Sequence, residues 1–286
     1  MTALLAAFLP IAMMILMFSL GLRLSLSEIG AEFRAPRALL AGLAVQMIGL
    51  PALAWALGQA ALVGPLMLTG LLLVAASPGG VTSNYAALLV RGKVGLSVGM
   101  TLITSLAAPI TLPLVLLLSG AVAPDGAGLW KISLGMTAVA LVPMGLAMGV
   151  RTLWSGFATK LARIVDPLAK VLFVLMVLAT FVQNWSAMRG AFAEVGLTVM
   201  MLAVAGPALA ATVGWIVHLS GPDRRTIMTE VSLQNVAITI FVAGKLMGQP
   251  ELAIPGLIYA VVMNVITLVL IGLTALRAGG LIRQEG

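Results

Sequence analysis

The sequence predicts an all-α membrane protein that crosses the bilayer many times. Of its 286 residues, 61% are hydrophobic and only 9% are charged, and the mean hydropathy is +1.16. Soluble domains carry about 25% charged residues. Apolar runs of about 20 residues recur along the whole chain, and this length is typical of spanning helices rather than of barrel strands.

Nine spans are predicted, and the third and the eighth of them are interrupted by polar or helix-breaking residues. They cover about residues 3–22, 38–57, 61–91, 94–118, 128–150, 163–184, 195–218, 224–247 and 252–276.

The basic residues fix the predicted orientation. Twelve of the sixteen Lys and Arg residues fall on one side of these spans, whereas Lys131, Arg189 and Lys245 fall on the other and Lys170 lies within a span. Because cytoplasmic loops are enriched in basic residues, we expect the N-terminus outside and the C-terminus in the cytoplasm. The chain is therefore expected in the plasma (inner) membrane as a multi-pass protein. The first positive charge, Arg23, follows the first apolar run, which argues against a cleaved signal peptide.

Composition also excludes several function classes. The chain has no cysteine and a single histidine, His218, which excludes thiol chemistry, a His/Cys metal cluster and a Ser–His catalytic arrangement within the membrane. The formal net charge of +7 does not indicate a nucleic-acid partner, because the basic residues lie in short loops. We expect no organic cofactor and no obligatory protein partner.

The third span contains its own helix break. Pro78, Gly79 and Gly80 interrupt an apolar run, and the polar residues Thr82, Ser83 and Asn84 follow within four positions of Gly80. A break frees backbone N–H and C=O groups, and in lipid each unsatisfied group costs several kcal/mol. Such a break is tolerated where it lines a cavity or meets a ligand. A simple packing kink is the alternative, but it does not account for the polar cluster.

A second copy of this pattern lies in the eighth span. The segments "SNYAALLVRGK", from Ser83, and "QNVAITIFVAGK", from Gln234, share a polar–Asn–x–Ala start and a Gly-Lys end. The predicted topology makes them antiparallel, which indicates an inverted repeat with unequal halves, residues 1–120 with four spans and 121–286 with five. Matching interruptions are typical of the binding site of a secondary transporter.

Glu230 is the only one of the nine acidic residues that lies well inside a predicted span. Intramembrane carboxylates are functional by default, although a protonated structural glutamate is the alternative. Gln234 lies one helical turn after Glu230, and Ser97 and Thr101 are likewise four apart. With Gln46 in the second span, these residues offer only oxygen ligands, which favours a hard monovalent cation. Helix packing through small hydroxyl residues is the alternative for Ser97 and Thr101.

These residues make the chain similar to the bile acid:sodium symporter family, as a nine-helix, bacterial member. The resemblance rests on "PGGVTSN", Arg91-Gly92, Ser97, Thr101 and "EVSLQN", in order, within residues 3–277. It implies two crossed broken helices in a core domain, about residues 61–118 and 195–276. It also implies a panel domain, about residues 3–57 and 128–184, that moves against the core in alternating access.

The resemblance further implies two sodium ions as coupling ions. The first site would use Ser83, Asn84, Ser97, Thr101 and Glu230. The second would use Gln46, Glu230 and Gln234, with backbone oxygens of Val231 and Leu233.

The predicted function is sodium-coupled symport of an organic anion, and the chain is not expected to be an enzyme. Half-helix N-termini near Val81-Thr82 and Asn235-Val236 favour a carboxylate or sulfonate. Asn235 and Asn264 would help to orient it, and interhelical hydrogen bonding is the alternative for these two side chains. A bile acid-like, pantoate-like or 2-oxo acid substrate fits equally. A proton-coupled or uncoupled carrier with a titrating Glu230 is the alternative. An intramembrane enzyme would need a second catalytic group, and no His, Cys or partner Asp offers one.

Overall fold

The computed structural model describes residues 2–24, 36–80, 82–120 and 126–282. These ranges are almost entirely helical, which confirms the all-α prediction for the described part of the chain. In chain order, the helices are α1 (Thr2–Arg23), α2 (Arg37–Ala60), α3 (Pro65–Ala75), α4 (Ser83–Leu89), α5 (Val94–Ser119), α6 (Gly126–Leu153), α7 (Ser155–Gln183), α8 (Trp185–Ile216), α9 (Gly221–Ser232), α10 (Val236–Leu246) and α11 (Ile254–Ile282).

Six of the described helices are long and apolar enough to cross a membrane, and they are α2, α5, α6, α7, α8 and α11 with its leading 3₁₀ turn. Shorter apolar helices, Phe8–Arg23, Pro65–Ala75 and Val236–Leu246, coincide with the first, third and eighth predicted spans. This pattern confirms a polytopic membrane protein.

Two helices begin before the spans that were predicted within them. Helix α7 begins at Ser155 rather than near 163, and α8 begins at Trp185 rather than near 195. The apolar run marks only the part of each helix that lipid would cover. In α7 the polar first turns carry exposed Lys160 and Arg163, while in α8 a π-turn at Phe192–Gly196 accommodates Glu194 without ending the helix.

The predicted interruptions separate α3 from α4 and α9 from α10. Pro78 has no N–H and disfavours helical backbone at the preceding residue, so it explains the first break. The second break has no proline or glycine. There, Leu233 and Asn235 leave the helical conformation, and the Asn235 side-chain oxygen accepts a 3.4 Å bond from the Ile238 N–H, which caps α10.

Helix packing divides the molecule into two groups. Helices α1, α6 and α7 pack mainly on one another, whereas α2 packs on α3, α5 and α8. The sequence-based grouping placed residues 38–57 with the first span, and the packing differs from it. Small residues explain the difference, because a Cβ at Gly42 would lie 2.5 Å from the Met100 sulfur of α5 and one at Gly49 would lie 3.1 Å from Leu209 of α8.

Candidate functional site

The two helix breaks lie against each other. The Gly80 N–H donates to the Leu233 carbonyl at 2.7 Å, and the Asn235 N–H donates to the Pro78 carbonyl at 2.9 Å. Between them, Gly79 and Gln234 form an isolated antiparallel bridge. Backbone groups freed by one break are thus satisfied by the other, which is what allows two interruptions to be buried at one point.

Glu230 lies beside this crossover, on α9, and only 1% of its surface is exposed. One carboxylate oxygen, Oε1, accepts a 2.5 Å bond from the Thr101 hydroxyl, and Oε2 accepts a bond from the Ser97 hydroxyl. Within the described residues the ion pairs are Arg23–Asp166 and Lys93–Asp223. Glu230 is therefore a buried carboxylate whose partners are neutral hydroxyl groups.

The start of α4 completes this polar cluster. The Ser83 hydroxyl donates to the Gly80 carbonyl at 2.7 Å and lies 3.4 Å from the Thr101 hydroxyl. The Asn84 side-chain oxygen lies 2.9 Å from the Ser97 hydroxyl, which can donate to it. The structure thus brings together all five residues predicted for the first cation site.

Gly79 has a role that sequence reasoning missed, because its helix-breaking role alone explained its presence. A Cβ at this position would lie 2.0 Å from Glu230 Oε1 and 3.3 Å from the Thr101 hydroxyl. Only glycine therefore lets the backbone approach the carboxylate. Thr104 was missed too. Its hydroxyl accepts a 3.4 Å bond from the Gly79 N–H. The signal was present, since Ser97, Thr101 and Thr104 follow the spacing of one helix face.

A second polar cluster surrounds Gln46, which lies in a π-turn of α2 and is 1% exposed. Its Nε2 donates to Gln234 Oε1 at 2.8 Å and approaches the Ser77 carbonyl at 3.3 Å. Gln234 in turn donates to the Val231 carbonyl at 2.7 Å. Among the described residues, Gln46 Oε1 has no hydrogen-bond partner although it is buried.

The structure joins the second predicted site only in part. Gln46, Gln234 and Val231 lie together, but the Leu233 carbonyl accepts the Gly80 N–H, and the Glu230 oxygens face Ser97 and Thr101. Carbonyl and carboxylate oxygens have more than one lone pair, so both groups keep acceptor capacity for an ion.

The residues predicted to bind substrate are divided between the two half-helices. Thr82 is exposed just before α4, and Val236 is the buried first residue of α10. Asn235 is 6% exposed, and its Nδ2 donor has no partner among the described residues. This side chain is the clearest candidate donor for a ligand at the crossover.

The two remaining substrate candidates have less support. Asn264 is exposed, and its amide donates to the Ala260 carbonyl of its own helix at 2.6 Å, so that bond does not link it to the crossover. Val81 lies outside the residues that the structure describes.

Chemically, these clusters suit a hard cation. Hydroxyl, amide and carboxylate oxygens surround Glu230 and Gln46, and the described residues contain no group of three or more His, Cys, Asp or Glu side chains that could hold a metal ion. Oxygen ligands that carry one negative charge match a monovalent ion better than a transition metal.

Comparison with known proteins finds a matching family and several relatives that are named as sodium-coupled or sodium-dependent transporters. A model of the Sodium Bile acid symporter family matches residues 10–190. The "Probable sodium/metabolite cotransporter BASS1, chloroplastic" of Arabidopsis thaliana is 26% identical over 92% of this chain and 65% of its own length. For the "Uncharacterized sodium-dependent transporter YocS" of Bacillus subtilis, the identity is 25% over 91% of this chain and 80% of the relative.

A mammalian relative, the "Sodium/bile acid cotransporter 4" of Rattus norvegicus, is 27% identical over 81% of this chain and 54% of its own length. The chain thus spans less than two thirds of the length of the plant and rat relatives. The family match nevertheless covers more than half of the chain, and the chain belongs to the sodium bile acid symporter family.

Proposed function

We propose that the chain is a sodium-coupled symporter of an organic anion that works by alternating access. The observation that carries this proposal is Glu230, a buried carboxylate bonded to neutral hydroxyls and absent from the ion pairs of the described residues. A charge inside the bilayer is unfavourable unless it is paired. A sodium ion at this position supplies the missing countercharge.

The first sodium ion would lie in the cluster formed by α4, α5 and α9. Ser97 and Thr101 donate to Glu230 in the absence of an ion. When sodium binds, these hydroxyls and the Ser83 and Asn84 oxygens turn lone pairs toward it, while Glu230 supplies the charge. Because α5 and the two half-helices each contribute ligands, the ion ties them together.

The second sodium ion would lie between α2 and the break after α9. Burying an acceptor without a partner is destabilising by about 1–3 kcal/mol, and Gln46 Oε1 is such an acceptor. A cation held by Gln46, Gln234 and the carbonyls of Val231 and Leu233 removes this penalty. Glu230 would contribute charge to this site as well.

The substrate headgroup would bind where the half-helix N-termini meet. Asn235 Nδ2 offers a buried donor, and Thr82 and Val236 stand at the starts of α4 and α10. Val81 and Asn264 are further candidates for contact with the substrate. A carboxylate or sulfonate suits these N–H groups, and sodium bound nearby raises its affinity. By linkage, the substrate raises sodium affinity by the same factor.

We further propose that the domains follow the observed packing. A panel of α1, α6 and α7 would move against a core of α2–α5 and α8–α11, and the two halves, residues 1–120 and 121–286, would be inverted repeats. This assigns α2 to the core, because it packs on α3, α5 and α8.

The N-terminus would lie outside and the C-terminus in the cytoplasm of a plasma (inner) membrane. A single cysteine introduced at exposed Lys131 should react with an impermeant reagent added outside intact cells, whereas one at Lys160 should not. Labelling with the opposite sidedness overturns this topology.

The names of the relatives support coupling to sodium, since they describe sodium/metabolite, sodium-dependent and sodium/bile acid transporters. They differ in substrate, so bile acid-like, pantoate-like and 2-oxo acids are all candidates here. A proton-coupled or uncoupled carrier is the second candidate function, because Glu230 is a buried titratable group in the predicted eighth span.

Uptake into proteoliposomes separates these functions. Purified protein is reconstituted and offered candidate labelled anions under an inward sodium gradient, a potassium gradient or a proton gradient. The proposal expects accumulation with sodium alone. Uptake that follows the proton gradient, or that merely equilibrates without an ion gradient, supports the second candidate instead. The neutral amide analogue of the best substrate should bind far more weakly in calorimetry.

A further inference from the structure

A second site lies away from the crossover, at the end of the molecule that we assign to the cytoplasm. A cavity of about 540 Å³ opens there between the end of α4, the start of α9, and the facing sides of α8 and α11. None of the residues that form the proposed sodium sites lines it.

The cavity is strongly basic. Its lining includes Arg91, Arg224 and Arg225, and none of the described residues that line it carries a carboxylate. The nearest acidic residue in sequence, Asp223, pairs with Lys93 at 2.7 Å. Three positive charges therefore surround one concave surface without a countercharge from the lining.

Two of these arginines are held in place by the fold. Arg225 donates to the carbonyls of Val90 and Arg91 at 2.6 and 2.7 Å, which ties the end of α4 to α9. The methylene stem of Arg224 passes close over α8, since a Cβ at Gly214 would lie 2.7 Å from its Cγ. The Arg225 guanidinium and the stem of Arg224 are thus positioned before any ligand arrives.

The remaining wall of the cavity is apolar. Met228 of α9 and Leu270 and Leu273 of α11 line it. One helical turn beyond the lining residues Ala211 and Leu273, Trp215 and Leu276 are 70% and 74% exposed. Tryptophan at such a position is typical of the lipid–water interface. A soluble anion would contact only the arginines, whereas the apolar wall and the exposed residues beside it can also contact a hydrocarbon chain.

We propose that this cavity binds the phosphate headgroup of an anionic phospholipid from the cytoplasmic leaflet, with an acyl chain along α8 and α11. Arginine forks match phosphate oxygens in charge and geometry. Basic pockets between spanning helices on the cytoplasmic side are suited to anionic headgroups.

The test measures lipid binding to the purified full-length protein in detergent, by native mass spectrometry, and needs no transport activity. The probes are phosphatidylglycerol, phosphatidylcholine and inorganic phosphate. The variant is Arg91→Gln with Arg224→Gln, which keeps most of each side-chain stem and leaves Arg225 in place. Each lost arginine should weaken phosphatidylglycerol binding about fivefold, and the pair about 30-fold. Arg163→Gln, which changes an exposed basic residue outside the cavity, should leave binding unchanged.

Three results overturn the proposal. Equal affinity for phosphatidylglycerol and phosphatidylcholine shows that the protein does not recognise the headgroup's net negative charge. Unchanged phosphatidylglycerol binding in the double variant shows that the lipid does not bind in this cavity. Inorganic phosphate binding as tightly as phosphatidylglycerol assigns the site to a soluble phosphate rather than a lipid. If the double variant does not fold, as judged by its elution and melting temperature without lipid, Arg224→Gln alone should still show the fivefold loss.

Discussion

Replacing Gly79 with alanine is expected to disable sodium binding while leaving the fold largely intact. The new Cβ would lie 2.0 Å from Glu230 Oε1, whereas real Cβ atoms stay at least 3.0 Å from other heavy atoms. The carboxylate must therefore withdraw by about 1 Å, twice the tolerance of about 0.5 Å within which a binding site must be held. Overpacking of this kind lowers the free energy of unfolding by about 1–3 kcal/mol.

The effect on sodium binding follows from linkage. Sodium at 100 times its dissociation constant stabilises the protein by about 2.7 kcal/mol. A displaced ligand that lowers affinity about 100-fold leaves about 0.4 kcal/mol of that stabilisation. Melting temperatures are measured in detergent over a sodium series, with potassium keeping ionic strength constant. The value without sodium reports the loss of intrinsic stability, and its rise with sodium reports the sodium-induced stabilisation.

Matched variants make the result specific. Gly149→Ala in α6 adds the same methyl group where nothing lies within 4 Å, so its sodium response should equal that of the wild type. Adding Glu230→Asp to Gly79→Ala shortens the acidic side chain by one methylene and should restore part of the response. A wild-type sodium response in Gly79→Ala alone refutes the close approach of this backbone to the carboxylate.

Three further outcomes are expected in the same melting assay. Gln46→Leu removes the unpartnered buried oxygen and should lower sodium affinity about tenfold; a full response excludes Gln46 as a ligand. Ser97→Ala and Thr101→Val each remove one neutral hydroxyl beside the carboxylate, so each should lower sodium affinity about tenfold and reduce the sodium-induced stabilisation without abolishing it. Asp166→Ala removes the acceptor of Arg23, which is 45% exposed in its side chain, and should lower the free energy of unfolding by about 1 kcal/mol at every sodium concentration; a change confined to sodium-containing samples contradicts this assignment.

The general architecture could be predicted from the sequence because lipid restricts what a chain can do there. The apolar runs predict helices, because a helix satisfies its own backbone groups in lipid. The interruptions at Pro78 and at Gln234-Asn235 need hydrogen-bond partners, and the structure supplies them as backbone bonds between the two breaks. The sequence also predicted three residues of the first cluster. Glu230 was predicted because burying a charge is unfavourable, and Ser97 and Thr101 were predicted from their helical spacing. The residues of the first cluster therefore came together as expected.

Features that depend on three-dimensional contacts could not be predicted in this way. The packing of α2 on α3, α5 and α8 depends on which glycine faces which neighbour, and a hydrophobic run does not encode that choice. The π-turn that holds Gln46 has no simple sequence signature. Gly79 and Glu230 are far apart in the chain, so the sequence predicted only the helix-breaking role of this glycine and not its close approach to the carboxylate.

Sodium-induced thermal stabilisation of Glu230→Gln is the sharpest test of whether Glu230 binds sodium. Glutamine keeps the size of the side chain and an oxygen but removes the charge. The wild type should gain stability with sodium and not with potassium, and the variant should melt at the same temperature in both salts while eluting as a folded protein. If sodium stabilises the variant as much as the wild type, Glu230 is not a sodium ligand.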